Sequence, residues 1–492
     1  MIGRVNSISM PPPRIANNAS SSGLNQTSPG VPSSTRVTLS NGSNEINAIY
    51  SMSAMKLGAA KVAGNSQVDL QMAANLSQSG PNPFAGVGKA LLLQLKESPK
   101  DFTSVVASPN AADKSAEVSK NSAGAQASAV AFDIVTQTGV KVSISLAHQE
   151  DGMVAQITTT GGELTEAETT AITGLADAFQ KTLDGLSNST PNVDLEGLTK
   201  FNTQVLKSVD LTTDIRQGSD SLQSLSYHAD STQRSVDYKD GNSAFQLDTD
   251  LSHPERLGTV GQQDRALAAY AKQLDDAKSR GHGDNTLINA FKETFRALNS
   301  NYGSNELQAN QSKANQSIML MSEDDKSRGY LSGLADFKAS FQQADISSNP
   351  YKKEEKDTFS YSFSQTSNST NLGDDNGTLR QQTTANLRAT YHESLTPGTP
   401  LKLTDDKFSQ NYTYHQIDDQ TTTSTALDFK QGLLASVTSS QTTHNLESVK
   451  KYVSGRLTEE TQTPYDNQQT QQKKLLTDGI QLQKKPGKLS LI

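Results

Sequence analysis

From Val130 onward the chain repeatedly places apolar residues at every second position, and no other feature constrains its fold as strongly. Within 130–157 the apolar residues are Val130, Phe132 and Ile134, then Val140, Val142, Ile144 and Leu146, then Met153, Ala155 and Ile157. A period of two puts each set on one face of an extended strand. Thr138-Gly139 and Glu150-Asp151-Gly152 separate the sets, at points where a reversal needs the conformational freedom of glycine. The stretch therefore predicts a three-stranded antiparallel meander. The period then changes. Ile172, Leu175, Ala176, Phe179 and Leu183 form a helical stripe, opened by Thr165 and Glu168 at capping-box spacing.

The same order recurs downstream. Residues 221–251 offer three more strands, with Leu225 and Tyr227, Val236 and Tyr238, and Phe245 and Leu247 as inward pairs, and Asp240-Gly241 as a hairpin signal. Helices are predicted around 260–280 and 285–300, and a third over 323–344. Beyond these, Phe359, Tyr361 and Phe363, then Leu387, Ala389 and Tyr391, then Tyr412 and Tyr414, then Leu427, Phe429, Leu433, Ala435 and Val437 alternate in a background of Thr, Ser and Gln. They read as long amphipathic strands with one polar face. Strands first and helices after is an α+β pattern of antiparallel meanders, not a Rossmann alternation.

The organisation that follows is a Ser-rich leader over 1–45, short helices over 46–107 and a linker over 108–129. A meander-plus-helix module spans 130–200, a second with a helical hairpin spans 220–345, a β-rich region spans 358–460, and a loose tail spans 463–492. Apolar residues make up 33% of the 492, and 33 glycines bring that share to about 40%, below the usual globular range of roughly 45–50%. Long stretches are therefore expected outside any core. The leader has ten serines in its first fifty positions and no acidic residue before Glu45, a composition that cannot offset the entropy of ordering. No apolar segment in it resembles a signal-peptide core.

There is no cysteine, which removes thiol nucleophiles, disulfides and thiolate-bound metals from consideration. A cysteine-free chain of this length suits a bacterial exported protein. A net charge of −8, with no dominant basic block, gives no nucleic-acid footprint.

Several stretches resemble chemistry and read better as structure. In Ser279-Arg280-Gly281-His282-Gly283-Asp284, Gly281 fits a helix C-terminus and Asp284 the next N-cap, with Lys278 and Arg280 suiting the last turn; His282 has no evident task. Gly86-Val87-Gly88-Lys89 lacks the glycine a phosphate loop needs at Pro83 and the hydroxyl it needs at Ala90, so a helix start is expected there. The seven histidines are scattered, and His392-Glu393 is not followed by a second histidine at zinc-protease spacing. Asp374-Asp375-Asn376-Gly377 reads as a turn before a calcium loop. The aromatic alternation at Phe359, Tyr361, Phe363, Tyr412 and Tyr414 reads as core packing. No catalytic, cofactor-binding or metal-ligating residue is nominated, and no cofactor is expected, although carboxylates distant in sequence could still converge as a hydrolase pair.

The stretches 132–146, 232–252 and 266–298 ("FDIVTQTGVKVSISL", "TQRSVDYKDGNSAFQLDTDLS", "ALAAYAKQLDDAKSRGHGDNTLINAFKETFRAL") resemble a family of large, poorly characterised proteobacterial proteins, some of which bear the name lactate dehydrogenase. The resemblance spans about 130–300. It brings no dehydrogenase motif with it, for no glycine fingerprint follows a strand. The leader is similar in composition to type III secretion signals. Together these lead to the expectation of a non-enzymatic protein, secreted or envelope-associated, whose partners are other proteins. A hydrolase and a cytoplasmic accessory of a secretion or flagellar system are the alternatives.

Overall fold

The structure, a computed structural model, describes residues 66–78, 82–98, 100–107, 128–149, 152–188, 192–217, 221–241, 243–302, 330–371, 376–430 and 433–474. The leader 1–45, most of the linker and the acidic doublet Asp374-Asp375 lie outside them. Within this range the protein is α+β, built on one antiparallel sheet of fourteen strands. After helices α1 (Gln67–Gln78) and α2 (Val87–Glu97) come strand β1 (Phe102–Ala107) and the meander β2 (Ser128–Thr136), β3 (Lys141–Gln149) and β4 (Gly152–Thr160). Helices α3 (Glu166–Thr173) and α4 (Ala176–Leu186) lead to β5 (Leu206–Gln217), β6 (Ser221–Asp230), β7 (Gln233–Asp240) and β8 (Ser243–Asp250). Helices α5 (Val260–Gly281) and α6 (Asn285–Leu298) precede β9 (Asp336–Ser348), β10 (Lys356–Thr370) and β11 (Gly377–Ser394), and the long strands β12 (Tyr412–Lys430), β13 (Leu433–Val453) and β14 (Arg456–Lys474) close the order. In space β1 pairs with β4, β2 with β5, and from β5 to β14 each strand lies beside its sequence neighbour.

The registers carry one apolar row across this sheet. Ile144 lies opposite Phe132, Phe132 opposite Leu211, Leu211 opposite Tyr227, Tyr227 opposite Val236, and Val236 opposite Leu247. Leu247 then faces Ala339, and Ala339 faces Phe363. All of these belong to one continuous core, and the helices that complete it, including Phe179 of α4 and Phe291 and Phe295 of α6, lie on that face. The opposite face presents the alternate residues, such as Ser224, Ser226 and His228 of β6, which stay partly exposed. One covered face and one wet face is the antiparallel arrangement that the alternation implies. No helix among the described residues is long and apolar enough to cross a membrane.

Three expectations need correction. The helix predicted over 323–344 is strand β9 from Asp336, because Phe337, Ala339 and Phe341 bury on alternation while their neighbours stay wet. The tail predicted as loose from 463 continues as β14 to Lys474, held by a ladder to β13 that reaches Ser436 opposite Lys474. Strands β1 and β5 form where the alternation was too short or too polar to be read. The aromatic set is buried as core packing, as expected, but in two separate clusters. Phe359, Tyr361 and Phe363 lie under α5 and α6, whereas Tyr412 and Tyr414 point to the other face and join Tyr452 in a separate cluster with Leu401 and Leu403.

The capping box is present. Thr165 accepts from the Glu168 amide and Glu168 reaches back to the Thr165 amide, although the helix divides near Gly174 into α3 and α4.

Candidate functional site

The stretch 279–286 does join two helices, with Asp284 the N-cap expected, but the end of the first helix shifts by one residue. Helix α5 runs through Gly281, and His282 takes the left-handed cap conformation at φ 56° and ψ 37°. Gly281 is needed for proximity instead: a Cβ there would meet Ala389 Cβ and the Phe359 ring at 2.9 Å. Asp284 caps α6, accepting from the amides of Thr286 and Leu287 at 2.8 and 3.0 Å. His282 is not idle, since its ring stacks on Tyr391 at 3.8 Å, and Tyr391 stacks in turn on His415 at 4.6 Å. Arg280 leaves the helix to bind Asp419 at 3.1 Å and Glu447 at 2.7 Å. That guanidinium holds the Glu447 carboxyl below its usual range. The whole group pins the end of α5 onto β11, β12 and β13.

Gly86 opens α2 in the left-handed region, and Gly88 lies flat on Phe179 and Leu183, where a Cβ would come within 2.8 and 3.0 Å. Lys89 pairs with Asp177 at 2.6 Å. These glycines pack helices; they form no phosphate cradle.

Three histidines on the wet side of the sheet pair with carboxylates from neighbouring strands. His228 binds Asp210 through Nδ1 at 2.6 Å, which raises its pKa. That contact answers a local problem, because Asp210 sits directly opposite Asp133 in the ladder, and like charges opposed across strands repel. His444 binds Asp466 at 2.5 Å in the same way, but both are well exposed.

The third is the most enclosed, and distance in sequence hid it. Near the ends of β10, β11 and β12, the His392 side chain is 2% exposed. Its Nδ1 lies 2.6 Å from Asp357 Oδ1, and the same oxygen accepts the His392 backbone amide at 3.0 Å. Its Nε2 is 3.4 Å from Glu355 Oε2 without hydrogen-bond alignment, an ion-pair contact only. Tyr412 donates to that Glu355 oxygen at 2.5 Å and accepts from Asn349 Nδ2 at 3.0 Å. Lys352 reaches the other Glu355 oxygen at 3.3 Å and sits 3.4 Å above the Tyr452 ring. Burial alone would raise the Glu355 carboxyl, but the facing His392 imidazole, the Tyr412 hydrogen bond and the Lys352 charge hold it at about 2. Burial likewise opposes a charged His392, yet Asp357 and Glu355 overcome it and raise its pKa.

Distant carboxylates do therefore converge here, and again at Asp419 and Glu447, but each pair is already engaged by cations of the chain. Among the described residues no group of three or more His, Asp or Glu side chains is arranged to hold a metal ion.

The remaining feature is an edge. On its outer side β14 has no strand beside it among the described residues. Its side chains are exposed along almost the whole strand, including Leu457 and Tyr465 at 49% and 54%. No family model matches the chain, and neither a curated protein nor a solved structure does.

Proposed function

We propose that the chain is a non-enzymatic bacterial protein, exported or held at the cell envelope, that acts by protein–protein contact through the free edge of its sheet. The observation that carries this reading is β14, whose 19 residues have no strand on their outer side among the described residues and carry mostly wet side chains. A row of free amides and carbonyls is a template for an added strand, and β-addition is a recurring way in which proteins hold extended segments of others. The enclosed centre at His392 argues in the same direction. A hydrolase acting through His392 would need an imidazole that substrate can approach, and this one is 2% exposed and packed against the rings of Tyr412 and Tyr414.

Photo-crosslinking in the native host tests the contact. A crosslinker at Gln462 or Thr470 of β14 should give discrete protein adducts, while one at Ser226 on the wet face of β6 should not. Equal, diffuse labelling from all three positions would remove the edge as the contact surface. Destination is tested separately by fractionating host cells that carry the full chain or a version lacking residues 2–44. Retention of both in the cytoplasm under secretion-inducing conditions would favour a cytoplasmic accessory over an exported protein.

A further inference from the structure

We infer that the strand received at this edge is the β14 of a second copy of the chain, paired antiparallel about a two-fold axis at Asn467. The inference rests on the reading of β14 as a contact edge and adds the identity of the partner. Its first support is the distribution of charge. Past Arg456, β14 carries Glu459 and Glu460 near its start, Lys473 and Lys474 at its end, and uncharged residues between them apart from Asp466. An antiparallel copy of such a strand brings acid to base at both ends, as cross-strand pairing favours. A two-fold contact of one patch with itself is also the commonest way in which chains associate.

The backbone narrows the register. The ladder between β13 and β14 runs through Pro464, opposite Leu446, without a break. Proline has no N–H, so the ladder stays whole only where its nitrogen faces outward, and even-numbered residues are then the ones that offer amides and carbonyls to the free edge. Facing residues in an antiparallel pair must both point inward or both outward. Two registers satisfy this and bring the glutamates to the lysines. Centred on Asp466, the strand sets Glu459 opposite Lys473 but sets Asp466 against its own copy. Centred on Asn467, it sets Glu460 opposite Lys474, places Glu459 diagonally from Lys473, and leaves a neutral pair on the axis. The second register avoids the opposed carboxylates. Each copy then lacks one ladder donor, at Pro464.

Within the chain Glu459 and Glu460 already have distant contacts, 3.9 Å to Lys451 and 4.0 Å to Lys450. Their side chains remain 63% and 44% exposed and able to accept further bonds. Charges and proline on an edge strand are equally the means by which proteins keep edges apart, so the two outcomes must be separated by measurement.

The full chain, purified in low salt, should show about twice its 52.7 kDa by light scattering and move toward the single mass as salt screens the pairs. The absence of cysteine makes Asn467→Cys a single, unambiguous probe. Residues facing each other on a two-fold lie within disulfide reach, so this variant should oxidise to a covalent dimer, while Asn386→Cys on β11 should not. Two charge reversals complete the test: E459K/E460K and K473E/K474E should each weaken self-association about tenfold. Mixed together they should form a mixed dimer, because every reversed pair is restored between unlike copies. That mixture guards against a variant that is merely misfolded.

A chain that stays monomeric at low salt, with no Asn467→Cys dimer above the Asn386→Cys control and no mixed dimer, overturns the inference. If discrete host adducts from β14 persist in that case, the edge binds a different protein and only the identity of the partner falls. If they too are absent, the contact edge itself falls.

Discussion

His392 shows how a single residue here depends on register. Asp357 and His392 are 35 positions apart and meet because β10 and β11 pair with Thr358 opposite Thr390. No spacing rule in the sequence encodes that meeting, whereas the capping box at Thr165, which is local, was legible. The pH dependence has a definite sign. A raised His392 pKa gives stability that is complete below its ordinary value of 6.5 and is lost as pH rises through the folded value. A lowered Glu355 pKa gives stability present above 4.5 and lost as pH falls toward about 2. The centre is therefore strongest between pH 4.5 and 6.5. His392→Gln should lower stability by about 2–4 kcal/mol in that window, since it leaves Asp357 without its cation and Glu355 with Lys352 alone. The deficit should shrink as pH rises through the raised His392 value, and thermal melts across pH will show whether it does. His282 makes the second residue-scale case. Its left-handed backbone tolerates asparagine but penalises a β-branched side chain, so His282→Val should cost about 1–2 kcal/mol more than His282→Asn in denaturant titrations.

At the scale of elements, alternation was read well where one face is apolar and poorly where it is not. Strands β2 to β4 and β6 to β8 were legible because Val, Ile, Phe and Tyr fall on every second position. The Thr463–Lys474 part of β14 was not, because it buries almost nothing: its strand character comes from the ladder to β13, a partner the local sequence does not reveal. The segment around β9 misled for the opposite reason. Its Leu, Ala and Phe spacing satisfies a helix as well as a strand, and pairing with β8 and β10 on both sides decides the matter. Contact between elements is tightest where α5 ends. Gly281→Val would drive a side chain into Ala389 and Phe359 and should destabilise the protein by about 2–3 kcal/mol, with the unfolding midpoint in urea as the measure. Gly261→Ala near the start of the same helix, where the nearest atom is Arg265 Nη1 at 3.8 Å, should be neutral or slightly stabilising.

For the molecule as a whole, the α+β class followed from the order of strands and helices, but the continuity of the sheet did not. Strand β5 joins the first meander to the second by pairing with β2 on one side and β6 on the other, and its polar residues Asp210, Thr212 and Asp214 masked it in the sequence. Support for the sheet thins toward β14. The main core ends at Ile417 of β12, and the middle of β12 and β13, from Thr421 to Thr425 and from Thr438 to Thr443, buries no side chain fully. Amide exchange should therefore be faster in those stretches than in β2 and β8 by several orders of magnitude, following local opening rather than global unfolding. Uniform protection across all strands would contradict this gradient. The hairpin of β13 and β14 also has a mechanical consequence. Ser436 and Lys474 face each other, so the chain enters and leaves this hairpin at the same end. Tension on residues beyond Lys474, resisted by those before Leu433, loads the ladder one rung at a time and peels β14 away at low force. A load applied along β14 itself meets all its rungs together and is resisted far more strongly. The direction of a pull, rather than its size alone, thus decides whether this edge holds or opens.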